Sequence, residues 1–175
     1  MTDLLPYHAK RPQPGASGTA LYGRAPFRGE RTLHPDTWFD QARAQFVHSG
    51  VSVDVVAVHL TPPIPDALAM QRWRADLAQL PAADPDDGVV TVLAGDFNAT
   101  MDHSAFRWLL GTGYVDAADA TGAGLIPTWH SGWVPPVTLD HIVVERGVGV
   151  RDVRVYDMGR SDHRAVVADL ALPKP

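Results

Sequence analysis

Short apolar runs alternate with clusters of turn-forming residues along this chain, and only two stretches carry a helical period. Residues 51–60 are apolar except at Ser52, Asp54 and His59, which marks a strand covered on both faces. Residues 43–48 form a second strand, and the Ser49-Gly50 between them reads as a short hairpin turn. Residues 65–80 place Leu68, Arg72, Ala75, Leu77 and Leu80 at helical spacing, with Trp73 among them. Asp66, in the first turn, suits the helix dipole. Residues 89–94 are β-branched and aliphatic and lie between the turn cluster Asp84-Pro85-Asp86-Asp87-Gly88 and Gly95, so they read as another buried strand. Strand, helix, strand in that order favours a crossover and a parallel or mixed sheet.

Residues 102–110 predict a second helix, with Asp102 as its N-cap and Gly111 and Gly113 beyond its end. Residues 114–128 read as irregular, 128–130 as a short strand before a loop over 131–136, and 137–144, 151–156 and 164–172 as three further strands. Residues 1–18 are rich in Pro and Gly and read as an irregular N-terminal segment. A short strand over 19–22 follows and stops at Gly23-Arg24-Ala25-Pro26.

With 175 residues the chain suits a single domain, 1–175, with a sizeable core. The formal charge of -5 argues against a strong nonspecific nucleic-acid binder, which would be basic. It leaves a small phosphate-bearing substrate as open as DNA. The absence of cysteine excludes disulfides, thiolate metal sites and a cysteine nucleophile. No run reaches the ~18 apolar residues of a membrane-spanning helix, and residues 1–14 lack the pattern of a signal peptide. The chain as given reads as soluble.

The chemistry sits where apolar strands meet polar side chains. His59 ends one strand, and Asp96 and Asn98 end another. Two apart in extended backbone, Asp96 and Asn98 would project together; equally, the pair would build an Asx-turn that caps the next helix. Asp140 and His141 interrupt a valine-rich strand, and Ser161-Asp162-His163 directly precedes the last one. A carboxylate inside such a strand costs free energy unless paired, so Asp140 is expected to hydrogen-bond His163 or His59 and to set its tautomer. His8, His34, His48, His103 and His130 read as surface or turn residues, with a place in a substrate pocket as the alternative for His130.

Ala57-Val58-His59-Leu60, Gly95-Asp96-Phe97-Asn98, Leu139-Asp140-His141-Ile142-Val143 and Ser161-Asp162-His163 resemble, in order and approximate spacing, the motifs of the endonuclease/exonuclease/phosphatase superfamily. The resemblance runs from about residue 17 to residue 172. It implies a DNase I-like four-layer α/β sandwich, two packed mixed β-sheets flanked by helices. It implies a divalent-metal-dependent hydrolase of phosphodiester or phosphomonoester bonds using Mg²⁺ or Mn²⁺. The implied substrates are nucleic acid, a phospholipid headgroup or an inositol phosphate. Asp96 then matches the carboxylate that activates water and a metal ligand. Asn98 matches the amide at the nucleophile or phosphate. His163, held by Asp140, matches the histidine at the scissile phosphate, His59 a second histidine proposed as general acid, and Asp162 a metal-site carboxylate. Arg24 matches the Ser/Gly-Arg that follows a short strand in many relatives and is a candidate phosphate contact, and Trp129 and His130 lie near the expected substrate mouth.

The chain departs from the family in one respect. Relatives open with a strand carrying Asn, followed by a Glu that is the principal metal ligand. Glu30 and Glu145 are the only glutamates here, and neither occupies that place. The chain is therefore expected to be the C-terminal two-thirds of a domain, N-terminally truncated, with doubtful activity of its own. A noncatalytic remnant or a binding and partner module of the same fold is the alternative.

Overall fold

The computed structural model describes residues 4–33 and 39–174; His34 lies outside the described residues. Its centre is a six-stranded mixed sheet in the order β3-β4-β5-β6-β10-β7. The strands are β3 (Arg28–Leu33), β4 (Gln41–His48), β5 (Val51–His59), β6 (Val89–Asp96), β7 (Tyr114–Asp116) and β10 (Asp140–Glu145). β4 and β5 form the expected hairpin, and Ser49 and Gly50 have φ of 50° and 85°. A two-residue turn with both φ positive matches the twist of its strands. β5 and β6 run parallel, joined by α1 (Ala67–Gln79). Asp66 is the N-cap of α1, its Oδ1 accepting from the Ala69 N–H at 2.9 Å.

One face of this sheet carries the main core, where Val56, Val58, Leu93, Phe97 and Val143 meet Trp73 and Leu77 of α1. Phe106 and Leu109 of α2 (Ser104–Gly111) join them. Burying each such side chain stabilises the fold by roughly 1.5–3 kcal/mol. Asp54 also lies on this face, buried, and is paired by Arg43 (Nη2 at 2.8 Å) and Gln45 (3.0 Å), which offsets its desolvation.

The other face carries Val53, Val90, Val92 and Val144 and is covered by separate two-stranded pieces. One is β11 (Gly149–Tyr156) with β12 (Ala165–Ala171), whose Val150 and Leu170 pack on those valines. Another is β1 (Tyr7–Arg11) with β2 (Thr19–Gly23), beside β4 and β5. A third pair, β8 (Trp129–Ser131) with β9 (Val134–Val137), lies near the sheet end where β10 begins. The fold is mixed α/β, as expected.

Several local expectations change. Residues 7–11 form a strand inside the segment read as irregular. Only Ala9 of β1 is buried, so no period-2 signal marks it. β3 was not expected, because it is a charged edge strand with Leu33 as its one buried residue. Residues 114–120 hold β7 and a short helix, α3 (Ala117–Ala120), where irregular chain was expected. The N-cap of α2 is His103, not Asp102.

Candidate active site

β5 and β6 run parallel and end together, while β10 starts antiparallel beside them. Register therefore puts His59, Asp96 and Asp140 in one row across three strands, on the face away from α1 and α2. Gly95 makes the last step possible. Its φ is 141°, and a Cβ there would meet the Val58 carbonyl oxygen at 2.1 Å, so only glycine fits. The chain then turns. The Asp96 Oδ1 accepts from the Asn98 N–H at 2.7 Å, and Asn98 takes φ of 47°. The arrangement is the Asx-turn of the alternative reading, and it also brings both side chains to the site.

His163 enters from the segment before β12. Its Nδ1 lies 2.9 Å from Asp140 Oδ2, so of the two histidines proposed as partner, His163 is the one bonded. Its Nε2 lies 4.0 Å from Asp96 Oδ2, and His59 Nε2 lies 3.9 Å from the same oxygen. A cavity of about 590 Å³ opens over this row, lined by His59, Asp96, Asn98, Trp129 and Phe39, the last packed against His59 with centroids 4.5 Å apart and the rings tilted by 39°.

The environment moves the titrating groups apart. Burial raises Asp96 to about 6, against the pull of the Asn98 N–H. Burial, aided by repulsion from His163, lowers His59 below the usual histidine value. At His163 burial works against the charge, but the hydrogen bond and charge of Asp140, with those of Asp96 and Asp162, outweigh it and the net shift is upward.

Other expected residues fall differently. The two amide hydrogens of Asn98 go to the Leu60 carbonyl at 2.8 Å and Asp96 Oδ2 at 3.1 Å, so both donors are used inside the fold. Trp129 lines the cavity, and its Nε1 donates to Asp162 Oδ2 at 3.1 Å, which holds the exposed Asp162 below the usual carboxylate range. His130 is exposed and meets Asp162 through backbone. Arg24 is away from the row. It lines another cavity, with Tyr22, Phe27 and Phe46, because the strand it follows packs beside β4.

Sequence reasoning missed Thr128. This buried side chain accepts from the N–H groups of Leu139 and Asp140, each at 2.9 Å, and so fixes where Asp140 points. Nothing in its sequence neighbourhood signals that role.

The Mg²⁺ or Mn²⁺ site implied by the resemblance needs several hard oxygen ligands. Among the described residues, no group of three or more His, Asp or Glu side chains stands close enough to hold a metal. Asp96 supplies one carboxylate to the cavity, and an Asp162 oxygen is engaged by Trp129. The described residues do not by themselves complete such a site.

The family model of the endonuclease/exonuclease/phosphatase family matches residues 2–163, and the chain belongs to that family. Its fold is DNase I-like. An endonuclease/exonuclease/phosphatase from Beutenbergia cavernae is 22% identical with a TM-score of 0.70, covering 98% of this chain and 55% of its own. D. rerio TDP2 complexed with a single-strand DNA product is 16% identical at TM-score 0.73, covering 94% and 76%. An AP endonuclease from Archaeoglobus fulgidus is 18% identical at TM-score 0.70, covering 94% and 79%. This chain thus spans about half the length of the first and three-quarters or more of the others. The comparison with curated protein sequences found no match. No helix among the described residues is long and apolar enough to cross a membrane.

Proposed function

We propose that this chain hydrolyses phosphoester bonds, with Asp96 activating water and the His163–Asp140 pair at the phosphate. The observation that carries this reading is the placement of Asp96 Oδ2 between two histidine Nε2 atoms, at 3.9 and 4.0 Å. A single water at a hydrogen-bond distance of about 2.8 Å bridges atoms so spaced. Ionised Asp96 takes the proton from that water, and its raised pKa makes it a stronger base than a free carboxylate. His163 keeps its Nδ1–H on Asp140, which turns Nε2 toward the reacting centre. Protonated to higher pH than free histidine, it stabilises charge on the phosphate or the departing oxygen.

His59 is shifted toward the neutral form, so we assign the acid role to His163 and give His59 a hydrogen bond to the water. Asn98 orients Asp96, since its amide hydrogens are already committed. The substrate class is nucleic acid, a phospholipid headgroup or an inositol phosphate, and the implied ion is Mg²⁺ or Mn²⁺. A noncatalytic binding module is the second reading. The absence of a three-ligand group among the described residues favours it.

The test is turnover of single-stranded DNA, an abasic duplex, sphingomyelin and inositol phosphates, each with Mg²⁺, with Mn²⁺ and with chelator. Hydrolysis is expected, falling at least about 100-fold in Asp96→Ala and His163→Ala. The rate should rise with pH through about 6 as Asp96 ionises, then fall above the ordinary histidine range as His163 loses its proton. Binding without turnover on any substrate supports the second reading and overturns the first.

A further inference from the structure

His141 directly follows Asp140 on β10, but its side chain points to the opposite face, into the core. Its Nδ1 lies 2.8 Å from Asp116 Oδ2, and its Nε2 lies 2.9 Å from the carbonyl oxygen of Ala99. The His141 and Asp116 side chains are each 1% exposed, so water does not intervene. A backbone carbonyl only accepts, so Nε2 must carry a hydrogen. Asp116 Oδ1 accepts the Asp119 N–H at 2.8 Å, which fixes the carboxyl group that holds the Nδ1 side of the ring. Ala99 is the next residue after Asn98, whose positive φ closes the turn at Asp96.

We propose that His141 acts as a positioning residue, gripping the chain at Ala99 so that Asn98 holds Asp96 over the site. Its effect on turnover rests on the hydrolytic reading above; the grip on Ala99 does not. Asp116 anchors the ring from β7, and Phe106, with its ring centroid 4.5 Å away and tilted by 43°, packs against it. The chain of contacts runs from Asp116 through His141 and Ala99 to Asn98 and Asp96. The ring lies one strand position from Asp140 without touching the cavity.

The first measurement is a long-range proton–nitrogen NMR correlation of the histidine rings in ¹⁵N-labelled protein near neutral pH, with no substrate present. The His141 Nε2 should be protonated, with a ring hydrogen that exchanges slowly with water. An unprotonated Nε2 overturns the proposal. In Asp116→Asn, the Asn98 side-chain amide signals should move; unmoved signals overturn the proposal. On whichever substrate turns over, Asp116→Asn should lower kcat about tenfold with KM within about twofold. His141→Gln, which can still donate to Ala99, should recover more kcat than His141→Leu. If no substrate turns over, the hydrolytic reading fails, while the ring and amide spectra still decide this one.

Discussion

Two aspartate–histidine pairs meet at adjacent residues of one strand, and they behave as opposites. Asp140 bonds His163 on the cavity side, with side chains 17% and 32% exposed. His141 bonds Asp116 on the core side, with both side chains at 1%. The chemistry and the distances, 2.9 and 2.8 Å, are nearly the same. The surroundings differ. Asp140–His163 leaves one ring nitrogen turned to a cavity that holds a second carboxylate and a second imidazole, so a proton can enter and leave. His141–Asp116 spends both nitrogens on fixed partners and has no open side. A paired imidazole is a reagent when one edge is free and a fastener when neither is.

The sharpest way to break this comparison is to truncate the cavity-side pair. Asp140→Ala should lower turnover about 10²–10⁴-fold, because His163 loses both its tautomer and its charge partner. Equilibrium unfolding should register under about 1 kcal/mol, since the pair is partly exposed. Comparable losses of stability and rate would erase the distinction. The reverse should hold on the core side. His141→Leu strands the buried Asp116 carboxylate and should cost about 3–5 kcal/mol in denaturant unfolding. A cost under about 1 kcal/mol would show that the pair is not the fastener described.

A smaller effect separates function from stability at Asp96. Its folded-state value of about 6 lies above its ordinary 3.8, so the fold binds that proton more tightly than the unfolded chain does. The ionised carboxylate therefore costs stability. The cost is absent below about pH 4 and fully present above about pH 6. Asp96→Asn should abolish turnover and does not titrate, so the stability of the natural protein relative to this variant should fall by about 1–3 kcal/mol as pH rises from about 4 to above 6. A pH-independent difference would mean that burial does not burden this group.

Much of the candidate site was legible before the fold. His59, Asp96 and Asp140 each interrupt or end an apolar run, and a polar residue there demands a partner. The β4–β5 hairpin, α1 and β6 followed from periodicity and turn chemistry, because their apolar positions are dense. β1 and β3 carried no such signal, since an exposed edge strand buries one residue and shows no alternation. Arg24 illustrates the converse. Its motif neighbours matched, but the packing of β2 beside β4 carried it to a different cavity.

What the sequence determined by itself was the set of polar side chains that must find partners and the family to which the chain belongs, because buried charge and motif order are local properties. Which partner each one takes was decided only by tertiary structure. Asp140 chose His163 over His59, and His141 reached Asp116, because strand register and the alternation of side chains across a sheet set those distances. Thr128 holds Asp140 in place for the same reason. Its hydroxyl matters through where the backbone folds back upon it, and no pattern along the chain encodes that.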